Sequence, residues 1–164
     1  MLSVRSARTS DVVAIRQIAS PLVEKRVLLG KELVELYESI QEFVVAELDG
    51  QVVGFGALHV FWQDLAEVRT LAVAESARGR GVGAAILREL LERAKVLGIH
   101  RVFCLTFETG FFGSHGFVEI SDVPVDAQTY GEMVRSHDEG VAEFLDLARV
   151  KQNTLGNTRM LKNI

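Results

Sequence analysis

The chain predicts an α/β fold in which an antiparallel meander of strands feeds one crossover helix, and three stretches carry that prediction. The first is Phe43 to His59, two strand-like runs joined by Asp49-Gly50, a dipeptide suited to the φ > 0 pair of a tight hairpin turn. The second is Arg78 to Ala84, reading RGRGVGA, in which Gly79, Gly81 and Gly83 fall at every second position. The third follows directly. Ile86, Leu87, Leu90, Leu91, Ala94 and Leu97 recur at helical spacing, with Arg88, Glu89, Glu92, Arg93 and Lys95 opposite and Gly98 at the stop. A Rossmann sheet alternates strand and helix from its start, and this chain does not.

Taken in order, residues 3–8 (SVRSAR) alternate as a short strand. Ser10-Asp11 starts a helix with Val13, Ile15, Ile18 and Ala19 on its apolar face, and Pro21 is expected to end or re-aim it. From Pro21 to Ile40, Val23, Val27, Leu28, Leu33, Leu36, Tyr37 and Ile40 fit two helices broken near Gly30. The hairpin comes next, and Gly54 and Gly56 in its second strand mark a bulge or a close approach by another element. Asp64 to Val73 reads as a third long strand, with Glu67, Arg69, Leu71 and Val73 expected on one face. After the long helix, Arg101 to Phe107 is a buried strand, Phe111 to His115 a single turn, and Val118 to Ile120 a short strand. Helical patches are expected at Thr129 to Ser136 and Val141 to Leu147, then a polar turn and Thr158 to Leu161. The resulting order is β-α-α-β-β-β-α-β-α-β, without repeats, linkers or low-complexity segments.

The 164 residues fit one domain, 1–164, long enough to bury about 70% of the unfolded surface. Almost half the residues are apolar, which excludes disorder. A net charge of −4 argues against a nucleic-acid or anionic-membrane partner. The longest apolar stretch, Val52 to Trp62, is broken by His59 and too short to span a bilayer, and MLSVRSARTSD lacks the apolar core of a signal peptide. A lone cysteine, Cys104, leaves no internal disulfide and no Cys-rich zinc site. The expectation is a cytoplasmic protein without a metal, and a homodimer stays open.

Glycines at the mouth of a helix let backbone N–H groups meet a ligand, and the helix dipole favours a phosphate there, so the RGRGVGA loop reads as a diphosphate cradle. The same loop can be a plain turn. Gly79, Gly81 and Ala84 also satisfy the G-x-G-x-x-A dinucleotide pattern, but Ile99, His100 and Arg101 stand where its acidic residue belongs. No Gly-Lys-Ser/Thr follows, which excludes a P-loop.

Arg78-x-x-Gly81-x-Gly83 resembles the acetyl-CoA signature Q/R-x-x-G-x-G/A of the GCN5-related N-acetyltransferases (GNAT), and Leu71-Ala72-Val73 stands where that family ends a strand in a hydrophobic triplet. The resemblance implies a mixed, mostly antiparallel sheet flanked by helices and acetyl-CoA as cosubstrate. The implied coenzyme-binding set is Leu71, Ala72, Val73, Arg78, Gly79, Arg80, Gly81, Val82, Gly83, Ala84 and Phe112. In the family the pantetheine arm pairs like an added strand, here with Leu71 and Val73, and one N–H faces the acetyl carbonyl. Such a donor is worth about 3 kcal/mol to the transition state. The strand of Cys104, Leu105 and Thr106 is implied to splay away and open the slot.

Glu67, six residues before Val73, matches the position of a glutamate base in several relatives. An α-amine has a pKa near 8 and is partly protonated at neutrality, so a carboxylate has a proton to remove. A strand glutamate is equally an arginine's partner, and Arg69 is two residues on. Many relatives place a tyrosine acid where this chain has Phe112; Tyr37, Tyr130, Cys104 and His115 remain as donors, or the thiolate leaves unassisted.

EFVVAELDGQVVGFGALHVF, AEVRTLAV, LTFETGFFGSHGF and NTLGNTRML together look like the short bacterial amino-acid N-acetyltransferases, the N-acetylglutamate synthases of arginine biosynthesis. A Phe in the tyrosine slot is usual in that group. Longer members carry an arginine-binding kinase domain that this sequence does not contain, so feedback inhibition is not implied. The resemblance implies L-glutamate as acceptor, with L-glutamine close behind. An amino-acid acceptor needs cations and donors for its carboxylates, for which Arg26, Lys31, Arg69, Thr106, Asn157 and Arg159 are candidates, with Asn153 and Thr158 beside them. Acetylation of a peptide or protein amine, or an acyl-CoA sensor without chemistry, are the competing readings.

Overall fold

The computed structural model describes residues 1–28, 30–145 and 156–164. It contains β1 (Leu2–Ser6), α1 (Val12–Glu24), α2 (Leu33–Glu38), β2 (Phe43–Leu48), β3 (Gln51–Trp62), β4 (Leu65–Val73), α3 (Val82–Val96), β5 (Arg101–Thr106), α4 (Thr109–Ser114), β6 (Val118–Glu119), α5 (Ala127–Met133), α6 (Glu139–Phe144) and β7 (Thr158–Asn163). The strands form one seven-stranded sheet in the order β1-β2-β3-β4-β5-β7-β6. Every pairing is antiparallel except β4 with β5. This is the mixed, mostly antiparallel α/β sheet with flanking helices that the sequence predicts.

Asp49 and Gly50 both take positive φ, 52° and 81°, as a tight hairpin turn requires. Gly98 (φ 81°) closes α3: Ile99 donates its N–H to the Ala94 carbonyl and Gly98 to Lys95, which satisfies two orphan carbonyls of the last turn. Helix α3 buries Ile86, Leu87, Leu90 and Ala94 against Val44, Ala46, Val68 and Val102 on one side of the sheet. On the other side Val12 and Ile15 of α1 and Leu36 of α2 meet Phe43, Val45, Phe55 and Ala57. Beyond them Met133, Val141 and Phe144 of the α5–α6 region cover Leu65 and Phe103.

Both expectations for Gly54 and Gly56 hold. The β3 register slips beside each, and a Cβ on Gly54 would lie 2.9 Å from Ile86 Cδ1, one on Gly56 2.8 Å from Ile86 Cγ2. The glycines let α3 approach the sheet.

Two expectations are corrected, and one segment left without an element type is assigned. Pro21 lies inside α1 instead of ending it; partly buried Leu22 packs on the α1 core one residue later, and the last turn closes through the Lys25 N–H and the Pro21 carbonyl at 3.2 Å. Strand β4 does not keep Glu67, Arg69, Leu71 and Val73 on one face. Thr70 adopts φ 55°, the pairing with β3 shifts there, and Leu71 and Val73 turn toward α3 while Ala72 turns toward α1. Thr158–Asn163 is a strand inserted between β5 and β6, because its backbone pairs with Arg101 to Thr106 along their whole length. The helical patch expected at Val141 to Leu147 is observed as α6 up to Phe144, and its end lies outside the described residues.

Candidate active site

Strands β4 and β5 pair only at Leu65–Glu67 with Arg101–Phe103. Past Glu67 they diverge: Cys104, Leu105 and Thr106 pair with β7 on their far side, and among the described residues the β5-facing backbone edge of β4 from Val68 onward has no strand partner. The wedge is the slot expected from the resemblance. It opens into a groove of about 550 Å³ lined by Thr70, Leu71, Ala72 and Val73 of β4, Arg78 and Gly79 to one side, and Cys104, Leu105 and Thr106 opposite.

At one end of this groove stands the α3 N-terminus. Gly79 and Gly81 have φ of 76° and 78°, left-handed values that glycine tolerates, and no atom lies within 4 Å of where either Cβ would be. Among the described residues no side chain caps the start of α3 at Gly81, so its first N–H groups have no capping oxygen. Val82, Gly83 and Ala84 line the groove, as do Phe111 and Phe112 of α4; Arg80 is exposed and does not. Open backbone, orphan donors and the dipole of a fifteen-residue helix suit a pyrophosphate.

A second, smaller cavity of about 60 Å³ lies on the α1–α6 side of the slot. Its wall includes Lys31, Glu67, Arg69, Glu139, Glu143 and Asn157, and it shares Val27, Leu28, Thr70 and Leu105 with the large groove. The two spaces therefore meet at the bulged residue of β4.

Glu67 is buried on the wall of the small cavity, and its Oε1 accepts from Arg69 Nε at 2.7 Å. Burial pushes the Glu67 carboxyl up to about 7, only partly offset by the Arg69 charge and hydrogen bond. Arg69 is also buried and spends its terminal nitrogens on Asp138, with Nη1 to Oδ2 and Nη2 to Oδ1 both at 3.0 Å. Burial raises the Asp138 carboxyl, but Arg69 outweighs it and draws the group down to about 2. His59 Nε2 stands 3.9 Å from Asp138 Oδ2 and its Nδ1 2.8 Å from Glu42 Oε1.

The other candidates separate. Lys31 lines the small cavity and makes no ion pair among the described residues. Asn157 does too, donating to Glu143 Oε1 at 2.8 Å. Thr106 is buried in the groove wall, where its hydroxyl accepts from the Glu108 N–H. Arg26 is exposed and borders neither cavity. Arg159 also borders neither, because Nε donates to the Phe144 carbonyl and Nη1 to that of Ser121. Asn153 lies outside the described residues. Of the four donors left open for the acid, only Cys104 lines the groove, and burial pushes its thiol up. The Nδ1 atom of His115 lies 2.8 Å from the Phe111 carbonyl, away from the slot.

Sequence reasoning passed over Asp138, Glu143 and Gly140. Asp138 had one local signal: it is the N-cap of α6, its Oδ1 accepting from the Val141 N–H at 3.0 Å. Among the described residues no group of three or more His, Cys, Asp or Glu could hold a metal ion, and no helix is long and apolar enough to cross a membrane.

Comparison with known proteins agrees with this geometry. The model of the acetyltransferase (GNAT) family matches residues 14–119. An amino-acid acetyltransferase of Mycobacterium tuberculosis is 58% identical over 161 residues, 96% of this chain and 92% of that protein. One from Neisseria meningitidis serogroup B is 34% identical over 123 residues, 74% of this chain but only 28% of that protein. Among solved structures, a Mycobacterium tuberculosis protein in complex with CoA and NLQ matches with a TM-score of 0.94 and 56% identity over 99% of each chain. The N-acetylglutamate synthase of Neisseria gonorrhoeae, complexed with coenzyme A and N-acetyl-glutamate, matches with a TM-score of 0.79 and 26% identity over 99% of this chain and 35% of that one. The chain belongs to the GNAT family of acetyltransferases.

Proposed function

We propose that this chain transfers acetyl from acetyl-CoA to the α-amine of a free amino acid, L-glutamate first and L-glutamine next, in one ternary complex. The observation that carries the reading is the junction of two cavities at the β4–β5 wedge, one shaped for a coenzyme arm and the other holding a buried carboxyl. Acetyl-CoA supplies an activated thioester. The amides of Val82, Gly83 and Ala84 receive its pyrophosphate, and the open edge of β4 at Leu71 and Val73 receives its pantetheine arm, with a β4 N–H at the acetyl oxygen. Glu67 removes a proton from the amine; once the C–N bond forms and the C–S bond breaks, the thiolate takes a proton or leaves as the anion. A carboxyl near pH 7 is matched to an amine near 8.

Lys31 takes the α-carboxylate of the acceptor, and Asn157 and Thr106 offer hydrogen bonds to its side chain. The relatives' names support an amino-acid acceptor, and the Neisseria gonorrhoeae complex supports glutamate. The same reading makes the protein the first enzyme of arginine biosynthesis, a cytoplasmic protein of one domain. Thiol release from acetyl-CoA across free amino acids and a peptide tests it. Release with glutamate or glutamine is expected; release with peptide alone makes it a peptide acetyltransferase, and none at all makes it a sensor.

A further inference from the structure

Asp138 comes from the α5–α6 connection, 69 residues from Arg69 in the chain, and lines neither cavity. Yet it holds both terminal nitrogens of Arg69 in a two-pronged pair. The turn that carries it is shaped around that guanidinium: a Cβ on Gly140 would sit 2.5 Å from Arg69 Nη2, so a larger residue would displace it. Held end-on by Asp138, Arg69 turns its Nε edge to Glu67 and gives it a single hydrogen bond, to Oε1, and among the described residues Oε2 of Glu67 has no hydrogen-bond partner.

Resting on the reading of Glu67 as the base, we propose that Asp138 is a positioning residue for it. By holding the guanidinium end-on and sharing its charge, Asp138 fixes the orientation in which Arg69 gives Glu67 one bond and leaves the other carboxylate oxygen open to the acceptor's proton.

The charge balance points the same way. An arginine fork facing a lone carboxylate binds both oxygens and favours the ionised form, which makes a weak base. Shared between two carboxylates, the same cation leaves a net negative charge, and Asp138 and Glu143 both oppose ionisation of Glu67. The charged and titratable groups around the site are Arg69 on β4, Asp138 ahead of α6, Glu139 and Glu143 on α6, Cys104 on β5 and Lys31 before α2, with His59 of β3 and Glu42 behind Asp138.

The test is the pH dependence of kcat/KM for the amino acid in Asp138→Asn, which keeps an N-cap oxygen, with Asp138→Ser as a second neutral cap if the first does not fold. The expected result is an acidic limb shifted to lower pH by about one unit, a plateau lowered about threefold, and an unchanged KM for acetyl-CoA. A limb at the wild-type pH or above it, in protein with a wild-type coenzyme KM, overturns the proposal. Glu67→Gln separates the two ideas. If it keeps the wild-type limb, Glu67 is not the base and both fail; if it abolishes the limb while Asp138→Asn leaves it unmoved, only the role of Asp138 fails.

Discussion

Glu67 accepts a single hydrogen bond from Arg69, 2.7 Å from Nε, with both side chains buried on the wall of the smaller cavity. Because burial lifts the carboxyl to about 7, it is protonated below that pH and cannot take the amine's proton. Turnover is expected to fall as pH drops through 7 and to level off above it. Glu67→Gln is expected to lower kcat by about 10² or more near neutrality and to recover part of the loss in alkali, where the amine deprotonates by itself. A thiol-release pH profile identical to wild type would remove Glu67 from this role.

Arg69 lies between two buried or half-buried carboxylates and bonds to both. Replacing it by Met leaves them facing each other, at a cost of about 3–5 kcal/mol. The sign with pH follows from Glu67. Its folded pKa is raised from 4.5 to about 7, so its stabilising contribution is complete below 4.5 and is lost as pH rises through 7. Removing Arg69 raises that pKa further, so urea melts should show a larger deficit at about pH 8 than at about pH 5. Equal deficits at both would contradict the charge assignment.

Gly81 and Gly83 are expected to fail differently. A Cβ at Gly81 meets nothing within 4 Å, but φ of 78° makes Gly81→Ala lose about 1–2 kcal/mol of stability through backbone strain. A Cβ at Gly83 lies 3.4 Å from the Phe111 ring, inside the groove wall, and alanine is the better helix former. Gly83→Ala should therefore keep its melting temperature and lose coenzyme A affinity by about tenfold. Calorimetric titration and thermal melts, run on both variants, check the contrast.

Gly54→Ala places a methyl 2.9 Å from Ile86 Cδ1 and 3.1 Å from the Ala72 carbonyl oxygen. Overpacking of this kind costs about 1–3 kcal/mol. Trimming the obstacle should help: Gly54→Ala with Ile86→Val is expected to be less destabilised than the sum of the two single changes, as read in a double-mutant cycle of chemical melts.

Much of the fold was legible because its signals are local. Asp49-Gly50, the amphipathic run of α3 and its Gly98 stop each announce themselves within a few residues. The glycine loop at a helix start, which lines the large groove, was legible for the same reason. What stayed hidden depends on contacts distant in the chain or on improbable backbone. A threonine at φ 55° carries no sequence mark, yet Thr70 reverses the facing of Leu71 and Val73 and marks where the two cavities meet. The partnership of Asp138 with Arg69 spans too much sequence for any spacing rule to find. Arg159 has the composition of a carboxylate ligand and is consumed by two backbone carbonyls instead.

The place of β7 in the sheet has a consequence during synthesis. Strand β5, which forms one wall of the slot, gains its antiparallel neighbour only when Thr158–Asn163 has left the ribosome, long after the glycine loop and α3. Until then its outer rim is a bare template for any stray extended peptide. Completion of the wedge is thus delayed until β7 has been made, and a nascent chain stalled between the two strands leaves that rim bare and prone to aggregate.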